Sequence, residues 1–81
     1  MGVLRVMSRR GDDHVRWDSA RVSAGDPEAV AAVREAERIF NEQRSRGATA
    51  FIVEKDRPPT RTRQFDPTAE RIVMIPRLVG G

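Results

Sequence analysis

The chain has 81 residues, no cysteine and a net charge of +3, with 38% apolar and 33% charged residues. A chain this short holds one modest core rather than two. Lacking cysteine, it has no disulfide, no thiolate metal site and no cysteine nucleophile, and it has no apolar run near the roughly 20 residues of a membrane helix.

The sequence pI is near 10.9, but Lys55 is the only lysine among 15 basic residues. Arginine stays charged at any relevant pH, so a small excess of it drives the pI far up. The high pI is therefore a poor argument for nucleic acid. Met1-Gly2-Val3-Leu4-Arg5 lacks a signal-peptide core, and the expected location is cytoplasmic, away from any membrane.

Val3 to Ser8 is rich in strand formers, and Arg9 to Asp13 supplies the Gly and Asp of a turn. His14 to Asp18 forms the second arm of a hairpin. Val15 and Trp17 alternate there with His14, Arg16 and Asp18, so one face is apolar and the other polar. Trp17 is expected in the core. Residues 19–25, with Ser, Ala and Gly, read as a loop.

Asp26-Pro27-Glu28 is a helix start: an N-cap carboxylate, a proline where no N–H is needed, and an acid at the positive end of the dipole. The helix is expected to run to about Arg46, with Ala29, Val33, Ala36 and Phe40 on its apolar stripe. Gly47 is the expected stop.

Ala48 to Glu54 reads as a strand with a buried centre, and Lys55 to Pro59 as a rigid turn. A short polar strand is expected at Thr60 to Phe65. Asp66 to Glu70 repeats the Asp-Pro signal and predicts one helical turn. Ile72 to Ile75 are four consecutive apolar residues, which predicts a central strand buried on both faces. Pro76 ends the pairing.

The order strand, strand, helix, strand, weak strand, strand, with a last segment reading Glu70 to Gly81 and ending Arg77-Leu78-Val79-Gly80-Gly81, resembles the ubiquitin-like proteins. It is similar both to the ubiquitin tail and to the tails of the sulfur carriers of molybdopterin and thiamine synthesis. The resemblance implies an α+β β-grasp fold, a mixed sheet packed on one helix, over residues 1–76, with residues 77–81 as a flexible tail.

It further implies a protein modifier or sulfur carrier that is not itself an enzyme. The Gly81 carboxylate, threaded on the small Gly80, would be adenylated with ATP by a partner enzyme. Arg77, Leu78 and Val79 would be read by that partner. An acceptor protein or a sulfur-transfer enzyme would complete the reaction, and the chain itself would bind no cofactor. Lys55 is the one lysine able to act as a chain acceptor.

Independently of any family, two terminal glycines arise by chance in about one chain in two hundred, glycine being roughly 7% of residues. They lack Cβ atoms and fit channels that exclude other residues.

Three other features have bland readings that win. Asp12, Asp13, His14 and Asp18 suit a hairpin turn and point apart along a strand, so no metal site is expected. His14, the sole histidine, has no acid or base partner at readable spacing. Arg57, Arg61 and Arg63, near Lys55, form a possible anion patch. Without interleaved aromatics it reads as a solvated loop rather than a nucleic-acid site. Two alternatives stay open: a non-covalent interaction module using the exposed sheet face and Arg77, and, below it, a small nucleic-acid-binding domain using the basic turn.

Overall fold

The computed structural model describes residues 1–8 and 11–77. Among them, five strands and two helices follow in the order β1 (Gly2–Ser8), β2 (Gly11–Trp17), α1 (Ser19–Ser23), α2 (Pro27–Ser45), β3 (Thr49–Val53), β4 (Thr60–Thr62) and β5 (Arg71–Ile75). The strands form one mixed sheet in the order β2-β1-β5-β3-β4. The β1–β2 and β3–β5 pairs are antiparallel, as is β3–β4, while β1 and β5 run parallel. The fold is α+β, and the last strand lies at the centre of its sheet.

The helix signals at Asp26 and Gly47 operate as read. The Asp26 carboxylate accepts the Glu28 amide at 3.1 Å, and Pro27 opens the helix. At the other end Gly47 takes φ +93°. Its amide donates to the Arg44 carbonyl, and the Ala48 amide donates to that of Gln43, each at 3.0 Å. These two bonds satisfy carbonyls that a helix end otherwise leaves unpaired.

The core lies between α2 and one face of the sheet. Ala36 and Phe40 of α2 meet Leu4, Val6, Trp17, Ala50, Ile72 and Met74, all buried. Val33, Ala32 and Ile39 pack at its margin. The Trp17 and Phe65 rings stand 5.6 Å apart, and Phe65 meets Phe40 in an edge-on contact at 5.8 Å. Such tilted pairings place a positive ring edge against a negative ring face.

Five local expectations are corrected. Residues 19–23 are helical, not loop, because the Asp18 carboxylate accepts the amides of Ala20 and Arg21 at 3.0 and 3.3 Å. The sheet therefore has two helices beside it rather than one. Gly11, Asp12 and Asp13 belong to β2 rather than to the turn, since they pair with Ser8, Met7 and Val6 of β1. The strand after Pro59 is confined to three residues. There, Thr62 turns its hydroxyl onto Gln64, donating to its carbonyl at 2.8 Å, and the chain bends away.

Asp66 to Ala69 is a turn, not a helical turn: the Asp66 carboxylate accepts the Thr68 amide at 2.9 Å, while Ala69 donates back to the Asp66 carbonyl. Finally, β5 is buried on one face only. Ile72 and Met74 are fully buried, but Val73 is half-buried and Ile75 is 42% exposed. Both helices lie on the Ile72 side, so no element among the described residues covers the other face.

Candidate functional site

The antiparallel and parallel registers define what the uncovered face presents. His14, Arg5, Val73, Phe51 and Arg61 form one row across all five strands, and Arg16, Val3, Arg71 and Val53 form the next. A third row brings Met7, 43% exposed, into the neighbourhood of Ile75 and Thr49. The centre is apolar, built from Val3, Val73, Phe51, Val53 and Ile75. Its margin is cationic: Arg16, Arg61 and Arg71 have no ion pair among the described residues. An apolar centre with a charged rim is the anatomy of a protein-binding surface.

β5 leads from the middle of this sheet to Pro76 and Arg77. Pro76 has no amide to donate, so the ladder with β3 stops after the Thr49–Ile75 pair. Arg77 is exposed, with the methylene stem of its side chain over the α2 stop: an ideal Cβ on Gly47 would lie 3.1 Å from Arg77 Cδ and 3.5 Å from its Cβ. Leu78, Val79, Gly80 and Gly81, the remaining tail residues singled out in the sequence, lie outside the described residues.

The other candidates fall apart in space or in role. Lys55 is exposed in the turn after β3. Arg57, in the same turn, is already 3.6 Å from the Glu54 carboxylate. Arg61 faces outward from β4 opposite Phe51, and Arg63 lies in the bend beyond it. His14 is exposed beside Arg5 on the sheet face, whereas Asp13, opposite Val6, belongs to the helix-facing side. Asp18 caps α1. Among the described residues, no three His, Asp or Glu side chains gather to hold a metal ion.

On α2, the Arg38 guanidinium bridges Glu35 and Glu42, donating to them at 3.1 Å through Nε and 3.0 Å through Nη1. Those donated bonds hold the Glu35 carboxyl below its usual range and push Arg38 up. The shallow groove between α2 and β2, floored by Leu4, Val6, Val15 and Ile39, is rimmed by this same Arg38. Its cation is thus committed to its own helix.

The sheet face escaped detailed reading because it is assembled from five strands, no one of which carries more than three of its residues. Only the alternation within each strand hinted at it.

No known protein family, curated protein or solved structure matches this chain. No helix among the described residues is long and apolar enough to cross a membrane.

Proposed function

We propose that the chain is a ubiquitin-like β-grasp protein, a protein modifier or sulfur carrier, that works through its C-terminal carboxylate. One observation carries the reading: β5, flanked by β1 and β3 at the centre of a mixed sheet, leads directly through Pro76 and Arg77 into a segment ending Gly80-Gly81. A central strand is the most firmly held part of a sheet. A reactive carboxylate a few residues beyond such a strand is tethered covalently to a firmly held part of the chain, while the glycines suit a narrow channel.

In the proposed reaction the Gly81 carboxylate oxygen attacks the α-phosphorus of ATP on a partner enzyme and pyrophosphate leaves. A thiol, an amine or a sulfur donor then attacks the acyl carbon, and AMP leaves with the bonding electron pair. The small protein supplies the carboxylate and a recognition surface. The partner supplies ATP binding and the catalytic groups.

Incubation with ATP and a cognate adenylating enzyme, read by intact mass spectrometry, tests the reading. The expected result is an adenylate, thioester, thiocarboxylate or conjugate that forms on the full chain and not on a chain lacking Gly80-Gly81. No adduct, together with full cellular function of the shortened chain, would overturn it.

A second reading is favoured by the sheet face itself, whose apolar centre and cationic margin suit a non-covalent interaction module. A Val73→Asp variant that loses partner binding while the shortened chain keeps it would favour that reading over the first.

A further inference from the structure

The apolar residues of the uncovered sheet face are not scattered. The parallel register of β1 and β5, carried on by one residue, sets Met7 beside Ile75. Val73 follows Ile75 on the same face of β5, Phe51 of β3 pairs with Val73, and Val53 follows Phe51 on the same face of β3. Together these residues make one continuous stripe that crosses β1, β5 and β3 obliquely. With strands about 4.8 Å apart and about 6.8 Å between like-facing residues of one strand, the stripe is roughly 17 Å long. That is the rise of about eleven helical residues.

Cations stand on both sides of it. Arg5, Arg71 and Arg16 lie toward β2, and Arg61 lies toward β4, while Asp12, opposite Met7, is the one acid among the described strand residues that the register puts on this face. Arg16, Arg61 and Arg71 are exposed, and none of the three has an ion pair among the described residues. Their charge is not spent within the chain.

We infer that this stripe seats an acidic amphipathic helix of a partner protein, its apolar side over Ile75, Val73 and Phe51 and its carboxylates against Arg61 on one flank and Arg71 and Arg16 on the other. The inference rests on the interaction-module reading above and adds the partner's shape and charge. A helix fits because the stripe runs across strands rather than along one, whereas an extended peptide pairs along a strand edge. The opposite face of the sheet is already covered in this way by α2, and a second helix completes a three-layer arrangement.

The same residues decide against other occupants. A second copy laid face to face sets arginines against arginines, which is unfavourable. The exposed side of its α2, with Arg34, Glu35, Glu37, Arg38, Asn41 and Glu42, offers no apolar stripe. Nucleic acid suits the charge but not the centre, where Phe51 is the only ring in the stripe on which a base could stack.

The test is an NMR titration of the full chain with three synthetic helical peptides that share one leucine stripe and carry glutamate, glutamine or lysine beside it. The glutamate peptide is expected to shift the amides of Phe51, Val53, Val73 and Ile75, to bind about tenfold more tightly than the glutamine peptide, and to lose that advantage in high salt. The lysine peptide is expected not to bind. Arg61→Glu combined with Arg71→Glu is expected to reverse the order of the glutamate and lysine peptides.

Equal binding of the glutamate and glutamine peptides, or a lead for lysine, would overturn the acidic partner and leave an interaction face of another charge preference. Shifts at these amides on raising the protein concentration alone would put a second copy in the stripe, and tighter binding of a single-stranded DNA oligonucleotide than of any peptide would put nucleic acid there; either overturns the inference. If no peptide moves these amides, the stripe seats no helix and the inference fails, whereas the interaction-module reading stands or falls on the Val73→Asp loss of partner binding.

Discussion

Gly2 and Trp17 share one space: they pair across β1 and β2, and an ideal Cβ on Gly2 would lie 2.2 Å from Trp17 Cε2. The indole occupies what a side chain would need, and at 2% exposure it has nowhere to retreat. Gly2→Ala is therefore expected to destabilise by about 3 kcal/mol or more, since overpacking forces the ring or the strand to move. Chemical denaturation followed by Trp17 fluorescence measures this. A wild-type midpoint would refute the tight packing.

The same indole carries a second restraint. Its Nε1–H donates to the Pro67 carbonyl at 3.0 Å, tying β2 to the turn that precedes β5. Trp17→Phe removes the donor and part of the ring, and is expected to cost about 2 to 4 kcal/mol. Hydrogen exchange should rise at Thr68 and Ala69 beyond the global change. Uniform acceleration across the chain would count against a local tie.

The first helix depends on its cap. Asp18→Ala leaves the Ala20 and Arg21 amides without their acceptor and is expected to cost about 1 kcal/mol. Asp18→Asn should retain most of that stability. Because α1 has only five residues, its amides should exchange faster in the alanine variant while those of α2 stay protected.

The ion pairs on α2 predict a pH dependence. The bond from Arg38 lowers the Glu35 pKa below its value in the unfolded chain, so the folded state binds fewer protons at that site. The stabilisation is complete above the unfolded value and is lost as pH falls through the lowered one. Both groups are solvent-exposed, so the effect is small and salt-sensitive. Thermal melts at low salt from pH 6 to pH 2.5 should show Glu35→Gln losing less stability than wild type across the acid limb. Parallel curves would contradict the assignment.

Much of this molecule is written locally. Asp26, Pro27 and Gly47 mark both ends of α2, because capping depends on the residue at the boundary and its immediate neighbours. Trp17 is assigned to the core by two-residue alternation, and the hairpin by a turn between two runs of strand formers. The terminal glycines are visible without any structure. Asp18 was legible in principle as a second cap, but the Ser, Ala and Gly that follow it resemble loop composition, and five helical residues are too few to show a period.

What the tertiary structure decided is which surfaces are covered. Four apolar residues at Ile72 to Ile75 satisfy equally a strand buried on both sides and a strand with one face left for a partner. Only the placement of both helices on the Ile72 side selects the second. The rows joining Arg5 and His14 to Val73, Phe51 and Arg61, and the meeting of Gly47 with Arg77, bring together residues from distant parts of the chain. Such contacts depend on strand order and register, which no local pattern encodes, whereas caps, turns and alternation are properties of neighbouring residues and can be read one segment at a time.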